Sequence, residues 1–455
     1  MSPVASVIFN KKFKQKNLTS LYEKKINGIL TAGLDGIRSD NFSKKLPEEI
    51  SIIVKKVNNG SYNFTNYKEK LISKGRDDKP RVLSIPTIRD RLVLKTLSEL
   101  LSELYPTAKS VLPQEKIKTL SNELDKEKYN RYIKIDLSKF YPSIPQERLL
   151  KKLKEKIRKK ELLSLIDKAI STGTSSHGGK KKKNKEGVPQ GLSISNILAE
   201  IYLMDLDDKM AKKTDLYYSR YVDDILILCK SDDIINISKE IIKDIKSLGL
   251  TPHEFTPDSK SKIGSIESDK FEFLGYNFFD SKLTPKKSSI LRFENNVAGV
   301  LTSFKYKYNQ AKTIQEKEST IALCMWKLNL KITGCIHKNT RLGWVFYFSQ
   351  TNCSTPFRQI DSTIKALIKR LNMTAMITPK KVLKAFYESS VGNKNQHKYI
   401  INFDKLTISD KRDILSLYLS PSKVMTMHDD LVIKMFERRL RDSIKDLEKD
   451  IGHNS

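Results

Sequence analysis

Acidic residues stand at the ends of two apolar stretches, and nothing else in the chain limits its fold as much. Leu216–Val222 and Ile225–Cys229 flank the pair Asp223-Asp224, the pattern of a β-hairpin with carboxylates at its turn. Upstream, Ile133-Lys134-Ile135-Asp136 ends a short apolar strand in a third carboxylate. Either site alone has an ordinary explanation. Aspartate is common in turns, where it bonds its own backbone, and at strand ends, where it caps the next helix. The two sites lie 223 − 136 = 87 residues apart, so their strands can converge on one sheet face. There they would hold two Mg²⁺ ions roughly 4 Å apart, as in-line phosphoryl transfer demands.

A third segment falls between them: Gly187-Val188-Pro189-Gln190-Gly191-Leu192-Ser193-Ile194-Ser195-Asn196. Gly and Pro fix a tight turn, and small residues let a backbone approach a base or sugar closely. Ser193 or Ser195 is placed to cap the following helix. Gln190 offers a donor and an acceptor to a substrate. Alone this is a loop before a helix; between the two carboxylate sites it is far more specific.

The remaining pattern predicts an α+β chain. Residues 1–30 read as amphipathic helix, and helices are expected over Lys45–Asn58, Asp90–Leu104, Glu147–Ile157, Leu162–Ile170, Ser193–Met210 and Ile234–Leu248. Extended segments are expected at Tyr62–Tyr67, Lys70–Ser73, Arg81–Ile85, Tyr132–Leu137 and Phe271–Phe279. Ser175–Glu186 is a Gly- and Lys-rich loop, and beyond Leu291 the sequence reads as helical nearly to its end.

Lys and Arg exceed Asp and Glu by 84 − 53 = 31, and the excess runs from Lys11 to Lys449 rather than sitting in a tail. A distributed surplus of that size points to a polyanionic partner, nucleic acid before membrane lipid, because neutralising phosphates releases condensed counterions. Cys229, Cys324, Cys335 and Cys353 form no CxxC pair, and Cys335 with His337 is weak evidence for zinc. No run reaches the ~18 apolar residues that a membrane span needs, and the N-terminus lacks a secretory apolar core. A cytoplasmic protein with reduced thiols is the expectation.

IKIDLSKFYPSI, GVPQGLSISN, YVDD and FLGY (Phe273–Tyr276) resemble, in order and spacing, the A, B, C and E motifs of reverse transcriptases. GLDGIRSDNF and KPRVLSIPTIRDRLV resemble the upstream motifs of the prokaryotic members. The resemblance implies a right-hand α+β polymerase, with fingers and palm over residues 1–290 and a helical thumb and RNA- or DNA-binding region over 291–455. It implies that Asp136, Asp223 and Asp224 are the metal carboxylates, for Mg²⁺ with Mn²⁺ as a possible substitute, joined by the Leu137 carbonyl. Arg81, with Lys74 as a second candidate, would grip the incoming triphosphate. Gln190 would line the nucleotide pocket, and Tyr141 would collide with a ribose 2′-hydroxyl unless it is merely a core aromatic. Lys260, in competition with Lys262, would protonate departing pyrophosphate. Phe273, Leu274, Gly275 and Tyr276 would grip the primer.

The implied partners are an RNA template, a noncoding RNA among the candidates, dNTPs and a DNA product. GLSISNILAEIYL and Gly343–Leu371 resemble the phage-defence branch (abortive-infection and "unknown group" enzymes), so an antiviral role is expected. Group II intron-like or retron-like enzymes, and template-independent or protein-primed polymerases, are the alternatives. Trp344, Tyr347 and Phe348 suit either RNA stacking or helix packing.

Overall fold

The computed structural model describes residues 4–73, 79–109, 111–176, 183–390 and 396–451. The chain forms two compact units, Met1–Val111 with Tyr129–Gly264 and Leu112–Lys128 with Ser265–Ser455. Residues 265–290 thus fall in the second unit, whereas the sequence grouped them with the first.

In the first unit, β1 (Tyr67–Ile72) pairs antiparallel with β2 (Arg81–Ile85). A four-stranded sheet contains β3 (Arg131–Asp136), β5 (Tyr217–Tyr221), β6 (Asp224–Cys229) and β7 (Lys262–Ser265), while the two-residue β4 (Thr174–Ser175) runs parallel to β1. The four-stranded order is β5-β6-β3-β7. Ile225, Leu226, Ile227, Leu228 and Cys229 are all fully buried. A strand buried at both odd and even positions is covered on both faces, which is why its sequence is an unbroken apolar run rather than an alternation. The Ile234–Ser247 helix packs on β3, burying Ile237, Ile241 and Ile245 at four-residue spacing, one face of an amphipathic helix. The Ser195–Ala211 helix contacts β5 and is buried almost all round.

β3 and β6 pair antiparallel with Ile133 opposite Ile227, Ile135 opposite Ile225 and Asp136 opposite Asp224. β5 and β6 place Tyr221 opposite Asp224, leaving Val222 and Asp223 as a two-residue turn. The turn before the Ser195–Ala211 helix is pressed against its neighbours. Gly187 has φ +68°, and a Cβ there would lie 2.4 Å from the Pro142 Cα and carbonyl oxygen. Gly191 has φ +94°, and the Ser84 N–H donates to the Gln190 carbonyl at 2.7 Å. Glycine here permits both the backbone conformation and the close approach.

The second unit contains a three-stranded meander of β8 (Phe271–Phe273), β9 (Tyr276–Phe279) and β10 (Lys282–Pro285). Long helices follow at Lys287–Gln310, Ile314–Thr333, Thr355–Arg370 and Asp429–Ile451. Trp344, Phe348, Phe293 and Phe357 are buried together, and the Trp344 indole donates to Ser289 Oγ at 3.0 Å. Trp344, Tyr347 and Phe348 are therefore helix-packing core, the second of the two readings that the sequence allowed. The expectation of helix nearly to the end missed a small sheet of Cys335–His337, Thr340–Leu342 and Ile401–Asn402. Its strands are two or three residues long, too short to show a period of two. Tyr62–Asn66, expected as extended, forms no strand; the strand begins at Tyr67. Among the described residues no helix is long and apolar enough to cross a membrane.

Gly187→Ala tests the packed turn. It places a Cβ against Pro142 backbone at a positive φ, so a loss of about 1–3 kcal/mol is expected. Urea unfolding of parent and variant measures it, and unchanged stability would show that the turn has room.

Candidate active site

Asp136 ends β3 as a half-exposed side chain whose backbone is fixed by distant segments. Its N–H donates to Ser261 Oγ at 3.1 Å, its carbonyl accepts from the His253 N–H at 2.9 Å, and His253 Nε2 lies 3.3 Å from its carboxylate. The next residue, Leu137, is buried and bridges to Pro252. Neither His253 nor Ser261 was singled out from sequence. Their link to Asp136 spans more than a hundred residues, and no local pattern marks it.

Asp223 occupies the turn between β5 and β6. Burial, first, and the charge of Asp136, second, push its carboxyl above the usual aspartate range, while Arg81 and Lys260 pull the other way. Three of the residues expected at one site, Asp136, Arg81 and Lys260, are thus within electrostatic reach of a fourth, Asp223. Of the two competing lysines, Lys260 is the one acting on Asp223. Tyr141 belongs to the same group. Burial raises its phenol well above the ordinary value, with the charges of Asp223 and Glu200 adding to the shift and Arg81 opposing it. Its hydroxyl donates to Asn196 Oδ1.

Asp224 faces Asp136 directly across the ladder, and the Lys134 ammonium lies 3.7 Å from its Oδ1. Lys134 comes from β3 two residues before Asp136, hence from the same face. Gln190 is half-buried in the packed turn. Lys74 lies outside the described residues. Phe273 and Tyr276 are fully buried, and the Tyr276 hydroxyl donates to the Tyr347 carbonyl, so the aromatic rings of FLGY are core of the second unit. Leu274 and Gly275, at φ +48° and +79°, form the turn and are its partly exposed part.

The turn that carries Asp223 is held by Arg220, which was not singled out from sequence. Its side chain is 3% exposed. Nη1 donates to the Val222 carbonyl at 2.9 Å, Nε to Asp207 at 2.8 Å, and Nη2 to Glu200 at 2.6 Å and Asp207 at 2.5 Å. Val222 is buried with φ +56°, which a β-branched residue rarely adopts. A guanidinium bonded to its carbonyl favours that conformation, and the two carboxylates compensate for burying the guanidinium.

Among the described residues no three His, Cys, Asp or Glu side chains converge into a cluster that would hold a metal by itself. The donor set nonetheless suits one kind of ion. Asp136 and Asp223 are hard oxygen donors whose proximity raises the cost of ionising both. Mg²⁺ is commonly bound by one or two carboxylates, completed by substrate phosphates and water, rather than by an all-protein cage.

Residues 72–278 match the family model "Reverse transcriptase (RNA-dependent DNA polymerase)". The match includes β2, both carboxylate strands and the packed turn. Among curated proteins, the group II intron-encoded protein LtrA of Lactococcus lactis is 28% identical over 197 residues, 41% of this chain and 32% of LtrA. An uncharacterised 91 kDa protein in a cob intron of Schizosaccharomyces pombe is 25% identical over 323 residues, 56% of this chain and 39% of that protein. The chain thus spans between three and four tenths of the length of these two relatives. A telomerase of Candida albicans, solved with a fragment of telomeric RNA, shares 13% identity at a TM-score of 0.43, covering 86% of this chain and 69% of its own; that likeness is too remote to bear on function.

Arg220→Ala leaves Glu200 and Asp207 without their shared cation. With Glu200 well buried and Asp207 about a third exposed, a loss of about 3 kcal/mol is expected, toward the low end for a broken buried pair. Arg220→Lys should recover only part, since one ammonium cannot reproduce the bonds to Val222, Glu200 and Asp207. Urea midpoints of the three proteins decide it, and an alanine variant as stable as the parent would remove Arg220 from this role.

Proposed function

We propose that the chain is an RNA-directed DNA polymerase that extends a primer with dNTPs. The observation that carries this reading is the gathering of Arg81, Asp136 and Lys260 around Asp223, within the residues that match the reverse transcriptase model. Asp136 and Asp223, with the Leu137 carbonyl, would hold Mg²⁺, or Mn²⁺ in its place. When bound, two such ions lower the pKa of the primer 3′-hydroxyl and stabilise the charge that develops on the phosphoryl group. Asp224, opposite Asp136 in the ladder, would be the third metal carboxylate through its Oδ2, while Lys134 lies near Oδ1.

The chain's own groups supply the remaining functions. Arg81 would grip the triphosphate by charge-assisted hydrogen bonds. Lys260, exposed on its loop, would carry the proton to departing pyrophosphate. Lys74 would add a second cation on the triphosphate side. Gln190 would line the base and sugar pocket, and the Tyr141 ring would close it where a 2′-hydroxyl would otherwise sit. At the primer, the turn backbone at Leu274 and Gly275 would make the contact, with Phe273 and Tyr276 holding that turn from inside.

The partners proposed are an RNA template and a DNA product, and the +31 charge supports a polyanion in either form. A specific noncoding RNA as template, a cytoplasmic location and a role in phage defence are finer proposals. The last rests on the GLSISN segment and on Gly343–Leu371. The intron-encoded relatives favour the alternative, a group II intron-like enzyme. Sequencing the nucleic acids that copurify with the protein from cells separates the two. One abundant noncoding RNA with its cDNA supports defence, and intron RNA supports the alternative.

Asp223→Asn and Asp136→Asn should each lower Mg²⁺-dependent dNTP incorporation by several orders of magnitude while the protein stays folded. Full activity in either variant would sink the assignment. Tyr141→Ala should raise GTP use relative to dGTP by roughly 5–150-fold, the factor set by the ~1–3 kcal/mol that overpacking a 2′-hydroxyl against a ring costs. An unchanged ratio would make Tyr141 a core aromatic and nothing more.

A further inference from the structure

The Ser195–Ala211 helix carries three polar side chains on one face, opposite the exposed Asp205 and Lys209. Asn196, Glu200 and Asp207 follow one another at intervals of four and seven residues, which keeps them within about 40° at 100° per residue. Around them Ile197, Leu198, Ala199, Ile201, Leu203 and Leu206 are buried. Glu200 and Asp207 are partly buried and need partners, whereas Asn196 is exposed and its bond is a contact rather than a requirement of burial. Glu200 and Asp207 take Arg220 and through it the Val222 turn. Asn196 takes the hydroxyl of Tyr141.

Tyr141 is fixed from a second side. It lies in the short Phe140–Ser143 helix, entered through Lys139 at φ +47°. Its carbonyl accepts from the Val188 N–H at 2.8 Å, and Gly187 is pressed against the neighbouring Pro142. The packed turn therefore sets the Tyr141 backbone, and Asn196 sets the far end of the ring. The two anchors differ in kind. The backbone anchor sets where the side chain starts and packing encloses the ring, whereas the hydroxyl bond ties down its far end.

A ring excludes a 2′-hydroxyl only as far as it cannot yield, because the penalty of overpacking falls when the obstructing group can swing aside. We propose that Asn196 is the positioning residue for sugar selection: by accepting the Tyr141 hydroxyl it locks the ring against which a ribose would clash. The inference rests on the polymerase reading above and adds to it a second residue on which deoxynucleotide preference depends. Asn196 touches neither substrate nor metal in this account; it acts through Tyr141.

The test measures kcat/KM for single additions of matched dGTP and GTP by the parent, Tyr141→Phe, Asn196→Ala, the double variant and Asn196→Asp. Removing either partner of the bond should lower the dGTP:GTP preference by about five- to tenfold, the size expected for one lost neutral hydrogen bond. The double variant should lose no more than either single one, since both changes delete the same bond. Asn196→Asp keeps an acceptor oxygen in place and should keep the parent ratio. Tyr141→Phe leaves the helix untouched, so the comparison stands even if Asn196→Ala folds poorly. A merely structural Asn196 would lower both rates together and leave the ratio alone, which overturns the proposal, as does a double variant that loses the product of the two single effects. A parent that incorporates neither nucleotide overturns the polymerase reading and this role with it. An active parent whose ratio ignores both residues overturns the role alone.

Discussion

Asp136 and Asp224 face each other because β3 and β6 pair residue for residue from Arg131 opposite Cys229 to the two carboxylates, and the rest of the site is arranged around that ladder. Ile133, Ile135, Ile225 and Ile227 are completely buried in it. A slip of one residue would turn one strand's side chains to the other face and carry its aspartate away from its counterpart. The apolar residues that gain most from burial thus also fix where the charges stand. At the end of the ladder the chain must reverse in two residues while presenting Asp223, and it does so through a buried valine at positive φ. Arg220 makes that reversal tenable: it bonds the Val222 carbonyl while two carboxylates of the Ser195–Ala211 helix satisfy its charge.

That helix sits at the centre of the first unit in a chemical sense. Its apolar surface is core, and its polar face reaches Tyr141 at one end and Arg220 farther along. The glycines before it let the backbone close on Pro142 and Ser84. Tyr141 and the carboxylate turn consequently lean on one helix, the arrangement that a site holding reacting groups within a fraction of an ångström would need.

Much of this was legible in the sequence. Two carboxylates at strand ends, an unbroken apolar run in β6 and a Gly-Val-Pro-Gln-Gly turn are each local patterns with a physical cause. The structure contains all three. Arg81, Asp136, Tyr141 and Lys260 each lie within electrostatic reach of Asp223. What stayed hidden is non-local or contrary to habit. His253 and Ser261 meet Asp136 from more than a hundred residues away. Arg220, inside the stretch taken as apolar, was not singled out and is buried with its charge paired. Lys134, inside the apolar strand, lies beside Asp224 and was likewise not singled out. In FLGY the aromatics that suggest a primer contact are interior, leaving the turn backbone as the exposed part. The short strands after residue 334 carry too few residues for any period to show.

Primer extension on an RNA template of defined sequence tests the central claim most directly. With purified protein, Mg²⁺ and four dNTPs, the account predicts DNA complementary to the template, its synthesis stopped by chelating the metal. Incorporation that ignores the template sequence, or none with any primer offered, would contradict it.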